Sequence, residues 1–292
     1  MKNPIIEGFY ADPESRVYND KVYIYVTHSL PYKDQKTLSV VVSNDLKNFT
    51  LCENILDMTT FVGASFAIWA PSVIEKNGKY YIIFAANDIQ SEDAIGGLYM
   101  GVSDSPTGIF KNVFEDGRPL INKIYNNAQP IDAHFFKDDD GKIYLYYGGW
   151  GHMMVCIMNE DMTGFEKMQE PCFDNIAKEI TPYKYVETPY VMKIGSKYHL
   201  MYSTGIWSDG SYCVKAAIAD SPCDEFKYYA DVLKSSEIAV GPGHNSAFIF
   251  NGEYYIAYHR RTEGDTIPHH RMLCIDKLNI KDGLLQEVTM TK

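Results

Sequence analysis

The chain has 292 residues, a formal net charge of −11 and 46% hydrophobic residues. This composition excludes an intrinsically disordered chain. The acidic balance argues against a nucleic-acid or anionic-membrane partner, because both select for basic patches, and no apolar stretch is long enough for a transmembrane helix. A neutral partner such as a sugar remains compatible. The 14% aromatic content, with 23 tyrosines, favours β-strands and suits stacking on carbohydrate.

One pattern recurs five times along the chain: a turn, a Lys or Glu, and then a Tyr-rich alternating run. The copies begin at Asn19, Asn77, Asp140, Gly195 and Asn251, and the residue after the turn recurs at intervals of 58, 63, 55 and 56 residues. Turn dipeptides such as Asn-Gly, flanked by apolar alternation, predict β-hairpins. Each hairpin is followed by another apolar run that ends in a polar turn, although the fifth such run is degenerate.

These repeats predict the fold class. Units of 55 to 63 residues with about four short strands each are typical of propeller blades. We therefore predict an all-β, five-bladed β-propeller that occupies residues 1–292 as a single domain. An ordinary β-sandwich is the alternative, and five matched spacings make it less favoured. Closure of the ring also removes exposed sheet edges.

The cysteines and the N-terminal segment indicate the cellular location of the protein. No CxxC pair is present, so reduced and mostly buried thiols are expected rather than a disulfide framework or a zinc site. The segment MKNPIIEGFYADP has no long apolar region and no cleavage site. We expect a cytoplasmic location, with a trimmed secretion signal as the alternative. The six cysteines are Cys52, Cys156, Cys172, Cys213, Cys223 and Cys274.

Each repeat carries a polar or aromatic residue 10 to 12 positions before its Tyr run: Asp12, Trp69, Asp132, Glu187 and His244. Because the first strand of each propeller blade lines the central channel, these side chains should converge near the axis. Buried unpaired carboxylates are costly, so three at matched positions indicate a site. For Trp69, core packing and sugar stacking are equally supported. For His244, a structural role and a metal or water ligand are equally supported.

Three neighbouring carboxyl groups suit the hydrolysis of glycosides. One carboxyl must be protonated to donate to the leaving oxygen, and another must be ionised to activate water or attack carbon. A third carboxylate raises the pKa of the acid, because like charges disfavour joint ionisation. The cluster could also bind a divalent cation. The sequence contains no Walker loop, GxSxG elbow or HExxH motif.

The sequence resembles glycoside hydrolase family 43, the five-bladed propeller glycosidases, over essentially its whole length. No single one of the motifs that carry this resemblance is specific to the family, but the order and spacing of the motifs together are specific. The residues that carry the resemblance are Asn3-Pro4, Gly8, Ala11-Asp12-Pro13, Trp69-Ala70-Pro71, Ile131-Asp132, Asp139-Asp140-Gly141, and Glu187 before Pro189.

The resemblance implies a role for each acid. Asp12 would be the general base that activates water, and Glu187 the general acid. Asp132 would raise the pKa of Glu187 and orient it. The family inverts the anomeric configuration, so the acid and base should lie roughly 6.5–9.5 Å apart. Ala133 and Thr188 depart from the family's usual residues beside the site, which bears on the substrate rather than on the acid and base.

The resemblance also implies contacts with the sugar. Trp69 would line the sugar subsite, and Arg271 would contact hydroxyl groups, with Arg260 as the alternative. His28 is a further candidate for substrate binding. His244 matches a histidine that in some members holds a calcium ion or a water molecule, so a structural calcium on the axis is possible, whereas the reaction itself requires no cofactor.

The function that the resemblance implies is an inverting glycosidase releasing arabinofuranosyl or xylosyl residues from plant hemicellulose or pectin oligosaccharides. The alternatives are an endo-arabinanase, an exo-galactanase or a non-catalytic sugar-binding propeller. A retaining fructan-cleaving propeller is disfavoured, because FYADPE lacks the Trp and Asn of its motif. A phosphorylase would need a basic phosphate cradle, for which Arg260-Arg261 is the only hint. The partner is an oligosaccharide or polysaccharide, and no oligomeric state is predicted.

Overall fold

The computed structural model describes residues 2–168 and 173–292, and Cys172 lies outside them. Nearly all of its regular structure is β-strand, in sheets of antiparallel neighbours arranged as five blades around one axis. The predicted five-bladed β-propeller is therefore confirmed. That the whole chain forms one catalytic domain stays a prediction.

The strands follow one another in chain order within each blade, from the axis outwards. Blade one consists of β1 (Tyr10–Tyr18), β2 (Lys21–His28), β3 (Leu38–Ser43) and β4 (Thr50–Cys52). Blade two consists of β5 (Trp69–Lys76), β6 (Lys79–Ala86), β7 (Gly97–Ser103) and β8 (Lys111–Asn112). Blade three consists of β9 (His134–Lys137), β10 (Ile143–Tyr147), β11 (Met154–Ile157) and β12 (Ala177–Glu179).

Blades four and five complete the ring. Blade four consists of β13 (Glu187–Ile194), β14 (Lys197–Thr204), β15 (Cys213–Ala219) and β16 (Lys227–Leu233). Blade five consists of β17 (Ala239–Phe250), β18 (Glu253–Thr262) and β19 (Met272–Lys277). A small hairpin follows, made of β20 (Ile280–Lys281) and β21 (Leu284–Leu285). Among the described residues, three short 3₁₀ helices lie in loops, at Tyr32–Asp34, Met58–Thr60 and Tyr125–Asn127.

The repeated turns join the first two strands of each blade. In the β5–β6 turn, Asn77 and Gly78 have φ of 54° and 79°, and in the β17–β18 turn Asn251 and Gly252 have φ of 51° and 80°. Two successive residues with positive φ match a two-residue type I′ hairpin, which Asn-Gly adopts with little strain. The predicted hairpins at these two turns form for this reason.

The core lies between the blades. Among the described residues, five clusters of buried apolar side chains each join two neighbouring blades, including the pair formed by blades five and one. The Tyr-rich runs fill these interfaces. Tyr25 and Tyr146 are fully buried, and their hydroxyl groups donate to the carbonyl oxygens of Pro106 and Pro222 at 2.7 and 2.8 Å. Burial of these two tyrosines is tolerated because their hydroxyl groups find acceptors.

The N-terminal segment closes the ring against blade five. The Asn3 side-chain amide donates to the carbonyl oxygen of Ile275 at 2.9 Å, and its oxygen accepts from the Ile275 N–H at 2.9 Å. The Ile5 N–H donates to the carbonyl oxygen of Leu273 at 3.0 Å. The segment therefore covers the edge of β19, where the other blades have a fourth strand, and this edge is not left open for pairing with another chain.

The five described cysteines are free, with Cys156 and Cys274 buried and the other three half-buried. Within residues 2–168 and 173–292, none of the helices has the length and apolar character needed to cross a membrane.

Candidate active site

A pocket of about 310 Å³ lies at one end of the axis. Its floor comes from residues in or just before the innermost strand of each blade, and its walls come from loops at the same end of the propeller. The lining residues are Asp12, Tyr32, Trp69, Asp88, Gln90, Gln129, Ile131, Asp132, Trp150, Glu187, Trp207, Tyr212, His244 and Arg271.

The chain is kinked at the pocket end of every blade. At this end each blade has a residue with a left-handed backbone: Asp12, Ala70, Asp132, Thr188 and His244, with φ of 54°, 49°, 54°, 63° and 42°. The pairing between the first two strands also shifts register at this point in blades one, two, four and five. Such a conformation costs a non-glycine residue about 1–3 kcal/mol, and such strain is concentrated at functional sites.

These bulges place the equivalent side chains in the pocket. A β-bulge bends a strand and re-aims the side chains next to it. The structure brings together all five of the residues that the repeat alignment singled out, namely Asp12, Trp69, Asp132, Glu187 and His244. Repetition of one backbone irregularity around the ring therefore assembles the candidate site.

Asp12 is surrounded by basic groups. Its Oδ1 accepts from Arg271 Nη1 at 2.9 Å and lies 3.4 Å from the Nδ1 atoms of both His244 and His259. Burial raises the pKa of Asp12, but the Arg271 guanidinium and the two imidazoles outweigh burial and hold this pKa well below its usual value. Asp12 is therefore an ionised carboxylate, although it is only 6% exposed.

The pKa values of Asp132 and Glu187 are shifted in the opposite direction to that of Asp12. Burial and the nearby charges of Glu187 and Asp12 raise the pKa of Asp132 well above its usual value. Burial also raises the pKa of Glu187, with the charge of Asp12 acting in the same direction. The two carboxyl groups titrate as a pair that retains a proton where Asp12 is already ionised. The pocket thus combines an ionised carboxylate with a protonated acid.

The surroundings of His244 differ from those of a calcium site. Its Nδ1 lies 3.4 Å from Asp12 Oδ1 and 4.0 Å from Asp132 Oδ1. Calcium takes six to eight oxygen ligands at about 2.3–2.6 Å, whereas the Asp12 oxygen here already faces the Arg271 guanidinium. In the described ranges, no group of three or more His, Cys, Asp or Glu side chains is placed to hold a metal ion. This donor set does not fit calcium.

The pocket walls come from the loop that follows the second strand of each blade. These loops contribute Tyr32, Asp88, Trp150, Trp207 and Arg271 in chain order, one or more per blade. All three tryptophans of the chain line the pocket. The Tyr32 and Trp69 rings meet edge to face at 4.7 Å, and the Arg271 guanidinium lies 5.2 Å from the Trp207 ring. Aromatic walls of this kind suit the apolar faces of a sugar ring.

Two of the predicted binding residues lie away from the pocket. His28, at the end of β2, shares a hydrogen bond of 2.6 Å with Ser39 Oγ. Arg260 is 4% exposed, and its Nη2 donates to the Thr291 carbonyl oxygen at 2.6 Å. Neighbouring side chains on a strand point to opposite faces, so Arg260 points away from the side on which His259 meets Asp12. The prediction that these two residues bind substrate is not supported, whereas Arg271 lines the pocket.

Sequence reasoning missed several residues of the site. Tyr212, whose hydroxyl group donates to Glu187 Oε1 at 2.7 Å, lies in a loop outside the repeat, as do Tyr32 and Asp88. The sequence did contain a signal for two of the tryptophans, Trp150 and Trp207. Trp150 and Trp207 each follow the second strand of their blade by three residues, which places them at equivalent positions of blades three and four.

Comparison with known proteins points to one family. The model of the family described as glycosyl hydrolases family 43 matches residues 1–285. A β-D-galactofuranosidase of Aspergillus niger is 38% identical over 296 residues, which cover 96% of this chain and 82% of that protein.

Two solved structures share the fold over nearly the whole chain. A family 43 β-xylosidase/α-arabinofuranosidase from a compost microbial metagenome, in complex with xylotriose in its calcium-free form, is 27% identical with a TM-score of 0.79, covering 98% of this chain and 96% of that chain. An α-L-arabinofuranosidase from Clostridium thermocellum is 27% identical with a TM-score of 0.78, and the match covers 96% of this chain and 94% of that chain. Together with the match over residues 1–285, these likenesses show that this chain belongs to glycoside hydrolase family 43.

Proposed function

We propose that this glycoside hydrolase removes a terminal furanosyl residue, arabinofuranosyl or galactofuranosyl, from an oligosaccharide with inversion of configuration, and that residues 1–292 act as one catalytic domain. Release of a xylosyl residue is the second candidate. The observation that carries the proposal is the single pocket in which an ionised Asp12 accompanies a carboxyl pair, Asp132 and Glu187, that retains a proton.

The proposed reaction uses only carboxyl groups of the chain. Asp12 accepts a proton from water as the water oxygen attacks the anomeric carbon, and Glu187 donates its proton to the departing glycosidic oxygen. Asp12 ends protonated and Glu187 ends ionised. Arg271 keeps Asp12 ionised beforehand through the contact of 2.9 Å. Asp132 and Glu187 disfavour each other's ionisation, because two buried like charges repel each other, so the pair still holds a proton when the leaving oxygen arrives.

The dimensions of the pocket support removal of a terminal sugar. Its volume of about 310 Å³ is at the lower end of ligand pockets, which span about 300–1,000 Å³. Loops from every blade surround it, which suits the end of a chain better than the middle of a polysaccharide. The relative from the compost metagenome is described in complex with xylotriose, which supports an oligosaccharide as the partner here.

One wall of the pocket favours a furanoside with an additional hydroxyl group. The Asp88 carboxylate accepts from Gln90 Nε2 at 2.7 Å and from Gln129 Nε2 at 3.2 Å, and all three residues line the pocket. α-L-Arabinofuranose and β-D-galactofuranose have the same ring configuration, and the exocyclic hydroxymethyl group of arabinofuranose is replaced in galactofuranose by a two-carbon diol. A carboxylate flanked by amides can bind such a diol. The names of the relatives from Aspergillus niger and Clostridium thermocellum support the same two sugars.

Hydrolysis of four p-nitrophenyl glycosides tests this proposal: the α-L-arabinofuranoside, the β-D-galactofuranoside, the β-D-xylopyranoside and, as a control, the β-D-galactopyranoside. We expect kcat/KM for the better furanoside to exceed that for the xyloside by about tenfold or more, the difference that a shaped sugar pocket can produce. Turnover of the xyloside alone would overturn the furanoside preference. Binding of these sugars without turnover of any glycoside or longer oligosaccharide would overturn the enzymatic function in favour of a sugar-binding propeller.

A further inference from the structure

Tyr212 contacts both halves of the proposed catalytic apparatus. It lies just before β15 and is 1% exposed. Its hydroxyl group donates to Glu187 Oε1 at 2.7 Å. Its ring stacks on the imidazole of His259, with centroids 6.0 Å apart and planes 6° from parallel. His259 Nδ1 in turn accepts the backbone N–H of Asp12 at 3.2 Å.

The neighbouring strand is shaped to receive the Tyr212 ring. A Cβ atom at Gly243 on β17 would lie only 2.1 and 2.3 Å from Tyr212 Cε1 and Cδ1. Any side chain at this position would therefore displace the ring, and only glycine permits such a close approach. The ring packs against Gly243 of β17 and beside the imidazole of its cross-strand partner His259, which fixes the position of the hydroxyl group.

We propose that Tyr212 is a positioning residue for the general acid, which occupies Glu187 Oε1 with a hydrogen bond so that Oε2 carries the proton donated to the leaving oxygen. This inference rests on the proposed function, because it requires Glu187 to be the acid. Burial, together with the charges of Glu187 and Asp132, raises the pKa of Tyr212 well above its usual value. The hydroxyl group therefore stays protonated and acts as a donor throughout the working pH range.

The same hydrogen bond acts on the proton affinity of Glu187. Burial raises the pKa of Glu187, and donation from Tyr212 opposes this increase because it favours the ionised carboxylate. Removal of the hydroxyl group should therefore raise this pKa further. The titratable and charged groups that face the carboxyl pair of Asp132 and Glu187 are Asp12, Tyr32, Tyr185, Tyr212, His244 and Arg271.

The test is the pH dependence of kcat and KM for Tyr212→Phe, on a nitrophenyl glycoside and on a methyl glycoside of the same sugar. We expect the alkaline limb of kcat/KM to move to higher pH by about one unit, the effect of one hydrogen bond to a charged group. We expect kcat for the methyl glycoside to fall about tenfold, while kcat for the nitrophenyl glycoside and both KM values stay close to wild type. The matched control is Tyr146→Phe, which removes an equally buried hydroxyl group outside the pocket.

A second variant tests the same claim without removing the hydroxyl group. Gly243→Ala should displace the Tyr212 ring and produce the same shift of the alkaline limb. An unshifted limb in the folded variants, or an equal fall in kcat for both leaving groups, would overturn the inference. A different result would show that the proposed function is wrong. In that case, Glu187→Gln would leave the hydrolysis of the methyl glycoside unchanged.

Discussion

Replacement of Asp12 by asparagine is expected to lower kcat by about 10²–10⁴-fold, the usual contribution of a general base, whatever the leaving group. Asparagine preserves the shape of the side chain but cannot accept the proton of the attacking water. The fall should therefore be the same for nitrophenyl and alkyl glycosides, with KM little changed. Steady-state kinetics at several pH values, on protein whose fold is verified by circular dichroism, measure the effect.

Glu14→Gln is the matched control for this variant. Glu14 lies two residues further along β1, is 5% exposed compared with 6% for Asp12, and is paired with Arg16. It does not line the pocket. Loss of its charge should lower thermal stability and leave kcat within a few-fold of wild type. If Asp12→Asn retained wild-type turnover, or if Glu14→Gln lost as much activity, Asp12 would not be the base.

Replacement of Glu187 by glutamine is expected to give an effect that depends on the leaving group. Hydrolysis of an oligosaccharide or alkyl glycoside should slow by about 10²–10⁴-fold, because the departing alkoxide needs the proton. Hydrolysis of the nitrophenyl glycoside should slow far less, because nitrophenolate leaves readily without acid assistance. Comparison of the two classes of substrate with one enzyme preparation provides its own control for folding.

The pH profile gives an independent check on Glu187. Burial, together with the charge of Asp12, raises the pKa of Glu187, so the acid stays protonated above the usual carboxyl range, and activity falls as the pH rises through this raised value. Glutamine does not titrate, so the alkaline limb should disappear in Glu187→Gln while the acid limb persists. An unchanged alkaline limb would assign the acid to another group.

The propeller and the floor of the pocket could be predicted because both repeat. Five Tyr-rich hairpins at nearly even spacing define the blades, and a residue with left-handed backbone at the equivalent place in each blade directs Asp12, Trp69, Asp132, Glu187 and His244 into one pocket. Equivalent positions in a closed ring face the same axis. Alignment of the repeats was therefore sufficient to predict that these residues lie close together, although they are far apart in the sequence.

The walls of the pocket could not be predicted in the same way. Loops differ in length and sequence between blades, so the repeat does not determine where their side chains point. Tyr212 depends on a glycine in the next blade, Gly243, and no local sequence pattern reveals such a contact. For the same reason, the sequence does not distinguish Arg260 from Arg271 as the sugar-binding arginine. Strand alternation places Arg260 on the face of β18 opposite to His259.

The most direct test of the central claim, that Asp12 activates water while Glu187 donates a proton, is the configuration of the first sugar released. Proton NMR of the reaction in D₂O, recorded before the product mutarotates, should show the β-anomer released from an α-L-arabinofuranoside or the α-anomer released from a β-D-galactofuranoside. Inversion of this kind requires water to attack from the face opposite the leaving group. Initial release of the same anomer as in the substrate would contradict the account, because it would make Asp12 or a neighbouring carboxylate a covalent nucleophile.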